Sequence, residues 1–187
     1  PAEWLEQITE HEQLPDGYLT ELHPVACGFM RSLSQMLIQG QQQTGLHGVA
    51  VLIDYGFPER EYYHPERDQG TLMCHYRHHA HPEPFYLPGL QDVTAHVDFT
   101  AMAVAASQAG AQVQFYQSQA AFLLGAGITD LLSRTSAEDA LSYLPQSQAL
   151  QKLTSPAEMG ELFKVLIIGT GADLPPLLQL QDRSHRL

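Results

Sequence analysis

The chain has 187 residues, 44% of them hydrophobic, enough for one domain with a sizeable core. Nine Lys and Arg stand against 21 Asp and Glu, a formal net charge of −12, and a surface of that sign repels a phosphate backbone, so nucleic-acid binding is not expected. No apolar run approaches the ~20 residues needed to span a bilayer and no secretory leader pattern opens the chain, so a soluble protein is expected.

Residues 1–20 are mixed: Trp4, Leu5 and Ile8 are apolar, and Pro15-Asp16-Gly17 signals a turn. From Leu22 a helix is predicted on the spacing of Leu22, Val25, Phe29, Met30, Leu33, Met36 and Leu37, with Gly40 as its stop. Cys27 lies on its apolar side and reads as a small buried hydrophobe. Cys27 and Cys74 are the only cysteines, far apart, which fits a reducing, cytoplasmic compartment. Then comes Gly48-Val-Ala-Val-Leu-Ile-Asp-Tyr-Gly56. The uncharged run Val49 to Ile53, bounded by glycines, predicts a strand buried on both faces. Ligands of open α/β sheets bind outside the carboxyl ends of strands, where Asp54 and Tyr55 fall. An acidic turn that merely ends a strand is the alternative.

Phe57 to Gln91 carries Pro58, Pro65, Pro82, Pro84 and Pro88 with little periodicity, and a loop of that length reads as a lid. It holds His64, His75, His78, His79 and His81, half of the ten histidines, but their spacing matches no established zinc pattern and no metal is expected. Its aromatic residues suit an acceptor pocket or simple lid packing. Asp92-x-Thr94-x-His96-x-Asp98 sets polar groups at every second position, on one side if extended. A histidine between carboxylates is a candidate general base. Alternatively Asp98 caps a helix running to Gly110, while Asp92 and Thr94 tie down the lid. Gln112 to Tyr116 alternates as a strand. Gln119 to Leu132 reads as helical with interruptions at Gly125 and Gly127, and 136–153 as a helix broken at Pro145. Phe163 to Gly169 is a third strand, and the tail from Asp173 shows no pattern. The order reads as the second half of a doubly wound α/β sheet.

Several short elements, in this order, resemble the MidA-like family of S-adenosylmethionine-dependent methyltransferases. They are Ile53-Asp54-Tyr55-Gly56, Gly70-Thr71-Leu72, Tyr76-Arg77-His78, Pro88-Gly89, Asp92-Val-Thr94-Ala-His96-Val-Asp98-Phe99, Gln119-Ala-Ala-Phe122-Leu123 with Gly127-Ile128, and Met159-Gly160-Glu161-Leu-Phe163-Lys164. Glu21 matches an acidic position ahead of the first helix. The resemblance implies a Rossmann-like class I methyltransferase fold with a long lid-like insertion. The three strands would be the fifth, sixth and seventh of a seven-stranded sheet, the seventh inserted antiparallel between the other two. The glycine-rich cofactor loop and the acidic ribose-binding residue would lie upstream. Residues 1–187, which open on Pro1 rather than Met, are therefore expected to be one partial domain, the C-terminal portion of the enzyme.

On these grounds the expected cofactor is S-adenosylmethionine, with Asp54, Tyr55 and Gly56 on its side and Asp54, His96 and His78 as catalytic candidates. Tyr76, Arg77, Asp92, Thr94 and Asp98 are the expected substrate or lid residues. Eukaryotic members of the family are associated with respiratory complex I assembly through arginine methylation of a subunit. The resemblance therefore implies a protein (arginine) acceptor, a respiratory-complex subunit among the candidates. A non-catalytic scaffold on a methyltransferase half-fold and a metal-dependent hydrolase are the rival expectations. An unpaired edge at Val49–Ile53 would promote a homodimer.

Overall fold

The computed structural model describes residue 8 and residues 14–187; Trp4 and Leu5 lie outside the described residues. The turn at Pro15-Asp16-Gly17 forms as expected: the Tyr18 amide donates to the Pro15 carbonyl at 3.1 Å, and Gly17 takes φ +83°. Helix α1 (Pro24–Thr44) buries Cys27, Met30 and Ser34, and the Ser34 hydroxyl is satisfied by donating to the Met30 carbonyl at 2.8 Å. Gly40 does not stop it. A glycine inside a helix costs only about 1 kcal/mol. The stop is Gly45, whose left-handed φ of +72° closes its amide on Gln41 O.

Strand β1 (Val49–Phe57) is followed by the short helix α2 (Glu59–Tyr62). The expected irregular lid then proves to contain β2 (Met73–Tyr76), β3 (His79–His81) and β4 (Asp92–Thr94), a small antiparallel sheet in the order β3-β2-β4. β5 (Val97–Asp98) leads directly into α3 (Phe99–Gln108), then come β6 (Gln112–Ser118), α4 (Gln119–Gly125) and α5 (Ile128–Ser133). The helix pair breaks at Gly127, φ +85°, as the glycines predict. Helix α6 (Ala140–Thr154) runs on through Pro145. The carbonyl that proline frees belongs to Leu141, which is exposed, so water can replace the lost bond. β7 (Phe163–Gly169) and α7 (Pro176–Gln181) complete the chain, and Leu178 of α7 is buried, so the tail is less irregular than its sequence suggests.

The main sheet has the order β5-β1-β7-β6. β7 runs antiparallel to both neighbours, in register from Val49↔Gly169 to Tyr55↔Phe163 on one side, and the last strand is thus inserted between the other two, as expected. One face is covered by α1 and α3, whose Met30, Phe99, Met102 and Ala106 close on Leu166 and Ile168. On the other face Phe115, Val165 and Ile167 pack under Leu178 and Phe122. That cover stops short of β1. Val49, Val51, Ile53 and Tyr55 are 41%, 48%, 45% and 40% exposed, so β1 is not buried on both faces among the described residues. Among the described residues its edge is also open from Val49 to Tyr55, because β5 pairs with Gly56 and Phe57 alone.

Candidate functional site

Of the sequence candidates, Asp54, Tyr55, Gly56 and His96 lie together near the carboxyl end of β1. Alternation puts Tyr55 and Phe57 on the outer face of the sheet. The Tyr55 ring lies 4.1 Å from that of Phe163, its register partner, and meets the His96 imidazole edge-on at 6.1 Å. His96 stacks on Phe57 at 5.2 Å with only 21° between the planes. The Arg67 guanidinium sits over the Phe57 ring, 4.1 Å from its centroid, and is fixed there by donating to the Glu61 and Tyr62 carbonyls. Arg67, Phe57, His96, Tyr55 and Phe163 thus form one linked row.

The row is held from below by a carboxylate. Glu21 accepts hydrogen bonds from the Thr71 amide (2.9 Å), the Leu72 amide (2.9 Å), the Thr71 hydroxyl (3.1 Å) and the Tyr62 hydroxyl (3.1 Å). Gly70, at φ +71°, turns those amides inward, and a Cβ there would strike the Glu21 carboxylate. Thr71 Oγ1 in turn accepts the His96 amide at 2.9 Å. Glu21 and Gly70-Thr71-Leu72 are therefore a clamp that positions His96. Half-buried, His96 has its pKa held below the ordinary imidazole value, first by burial and then by the Arg67 charge, with Glu21 and Asp54 pulling the other way. Near pH 7 it is neutral, with a lone pair able to take a proton.

β1 does not end at Asp54 as the sequence suggests but runs on to Phe57; Asp54 is exposed within it, paired with Lys164, and its Oδ1 accepts the Tyr55 amide at 2.8 Å. Gly56 is buried where β5 crosses, and a Cβ would collide with the Val97 carbonyl and come within 2.8 Å of the Phe99 ring, which gives this glycine a packing reason of its own.

The Asp92–Asp98 alternation does not make one face. The strand breaks at Ala95-His96 because β4 belongs to the small sheet and β5 to the main one. Asp92 and Thr94 are exposed opposite His75 and Met73, and the Thr94 hydroxyl donates to Met73 O at 3.2 Å. Asp98 is 8% exposed and caps α3, its Oδ1 accepting the Ala101 amide at 3.1 Å. Burial pushes its carboxyl up to about 6; the helix amides and the Tyr63 hydroxyl pull it down and Glu59 raises it. Tyr76, Arg77 and His78 form the tip of the β2–β3 hairpin. Arg77 and His78, at φ +48° and +67°, are the two central residues of a primed turn, and the Arg77 guanidinium folds over Tyr76 at 5.4 Å. Among the described residues no hydrogen bond or ring contact joins His78 to the His96 row, and no group of His, Cys, Asp or Glu is placed to hold a metal ion.

Phe57, Arg67 and Phe163 are the site residues that the sequence reading missed. Phe57 was within reach, two positions after Tyr55 on the same strand face. Phe163 needed the β1–β7 register, and Arg67 stood out only as one of the three lid arginines, with Arg60 and Arg77, that make this loop the least acidic stretch of the chain.

The residues present fit only part of an S-adenosylmethionine site. Asp54 and the half-exposed Tyr55 ring lie near the end of β1, but Gly169-Thr170-Gly171, which follows β7, does not open a helix directly, since four residues separate it from α7 at Pro176. Gly169 packs against Gln114 and Gly48, Gly125 sits against Leu178, and Gly127 and Gly171 serve turns at positive φ. The comparisons decide what these parts belong to. Residues 1–117 match the family described as "Putative S-adenosyl-L-methionine-dependent methyltransferase". The chain belongs to that family. A structure from Burkholderia thailandensis, described as a superfamily member and "likely methyl transferase" bound to S-adenosyl-homocysteine, is 49% identical, with a TM-score of 0.86, over 100% of this chain and 45% of that one. A native structure of an uncharacterized protein of the same superfamily and organism is 49% identical with a TM-score of 0.88, over 100% of this chain and 48% of its own. This methyltransferase-family chain thus spans about half the length of its solved relatives. No curated protein matches it.

Proposed function

We propose that this chain forms the acceptor side of an S-adenosylmethionine-dependent methyltransferase on the seven-stranded class I sheet, with β1, β6 and β7 as its fifth, sixth and seventh strands. The observation that carries the reading is the antiparallel insertion of β7 between β1 and β6, in a chain of this family. When bound, S-adenosylmethionine supplies an electrophilic methyl group. This chain's own residues receive and prepare the nucleophile. Neutral His96 takes its proton, the Glu21 clamp and the Phe57 ring fix the imidazole, and Asp54 orients a cationic acceptor at the strand end.

The acceptor is a protein and the methylated residue an arginine. The support is the family resemblance together with a net charge of −12, which draws in a cationic side chain. A guanidinium must also shed a proton, which gives His96 its task. A respiratory-complex subunit in a bacterial cytoplasm is the partner that the resemblance suggests. The partial fit to the cofactor favours a second reading, a non-catalytic scaffold.

Titrating S-adenosyl-homocysteine into this chain, and into a product extended to the length of its solved relatives, tests both. Binding is expected only to the extended product. There His96→Phe should leave cofactor affinity unchanged and lower protein methylation by about 10²-fold or more. Extended protein that binds no cofactor would establish the scaffold, and full activity of the variant would remove His96 from the chemistry.

A further inference from the structure

A second pocket opens at the same end of the sheet, on the far side of β7. Phe163 turns toward Tyr55, so Lys164, the next residue, turns to the opposite face. There Lys164 joins Arg183, Arg186, Glu61, Glu161 and Tyr116 around a cavity of about 260 Å³. Three of the chain's nine cations line this one space, in a protein with 21 acidic residues. Two of them have acidic company. Arg186 pairs with Glu61, and Lys164 lies 3.9 Å from the Glu161 carboxylate and donates to the Glu161 carbonyl. Arg183 makes no ion pair among the described residues, and its backbone amide, bound to Tyr116 O at 2.9 Å, anchors it beside the pocket.

The second observation is a donor without an acceptor. Tyr116 is 3% exposed, yet among the described residues its hydroxyl has no hydrogen-bond partner. Tyr116 lines the cavity together with Glu61 and Arg186. A buried hydroxyl left unsatisfied is destabilising unless something occupies its hydrogen-bonding position. Lys164 is also largely buried, its side chain 16% exposed, with the Glu161 carboxylate at 3.9 Å as its acidic partner.

We propose that this pocket binds an oxyanion, a carboxylate or a phosphate group, on Lys164, Arg183 and Arg186, with the Tyr116 hydroxyl as a further donor. Arginine and lysine are the side chains that hold such groups by charge-assisted hydrogen bonds. The net lining charge of three cations and two carboxylates leaves one positive charge for the ligand. The proposal does not rest on the methyl-transfer reading; the pocket meets the His96 row at Glu61, whose carbonyl holds Arg67 while its carboxylate pairs with Arg186.

Calorimetric titration with inorganic phosphate in one arm and succinate in the other tests the proposal, on the chain as it stands. Saturable binding of either is expected, and the arm that saturates identifies the ligand's chemistry. Arg183→Glu should weaken it by about tenfold or more. Tyr116→Phe removes a hydroxyl that has no partner, so the free protein should melt no lower than the parent while anion affinity falls several-fold. Absence of saturation with both anions in the millimolar range, or binding that both variants leave intact, would overturn the site.

Discussion

His96 shows how much of a residue's chemistry is set by what surrounds it. Its ring is stacked on Phe57 and its amide is tied through Thr71 to Glu21, while Arg67 stands beyond the Phe57 ring. The lowered pKa has a definite sign. The unfolded chain binds a proton at His96 more readily than the folded one, so this histidine's contribution to stability is present above the ordinary imidazole pKa and is lost as pH falls below it. Arg67→Gln removes the second-largest cause of the shift. The His96 ring-proton titration, followed by NMR, should then move to higher pH, with the Phe57 stack retained. An unchanged midpoint would mean that burial alone sets the value. In the sequence, His96 was legible as a polar residue near a strand end. Arg67 was not, because 29 residues separate it from His96 and only the fold brings them together.

Among the elements, α3 carries its own pH dependence. Asp98 caps the helix from a buried position, so its carboxyl, raised to about 6, favours the protonated form in the folded state. With a raised folded pKa, stability falls as pH rises from about 4 through about 6, and the charged cap opposes folding above that window by on the order of 2–3 kcal/mol. Asp98→Asn keeps a capping oxygen without the buried charge. Its melting temperature should be less dependent on pH between 4 and 7, and higher than the parent's at pH 7. A lower value at pH 7 would show that the charge is needed by the helix amides. The cap itself was readable from Asp98 ahead of an alanine-rich stretch. The small sheet was not, because its hairpin turns on Arg77-His78, residues that give no turn signal and take positive φ only where cross-strand pairing holds them.

For the whole molecule the decisive feature is β1, whose Val49–Tyr55 edge is open and whose outer face is half exposed. Open, apolar edges template pairing with another chain. The isolated chain is therefore expected to self-associate, with sedimentation velocity as the measurement. Ile53→Lys places a charge on the exposed face and should shift the protein toward monomer with little change in melting temperature. A parent that sediments as a clean monomer would contradict the expectation.

By itself the sequence determined the three main strands, α3 with its cap, the break at Gly127 and the family. The elements rest on local information: an apolar run, a period of two, a capping carboxylate, a glycine that interrupts a helix; the family rests on resemblance, through the order and spacing of short motifs along the chain. Tertiary structure alone decided that Gly40 is passed over while Gly45 stops α1. It also decided that the Asp92–Asp98 alternation is divided between two sheets, and that Phe163 and Arg67 join His96. The physical reason is common to all of them. Those outcomes depend on which segments pair and in what register, and strand register is fixed by contacts between residues about a hundred positions apart, such as Tyr55 and Phe163.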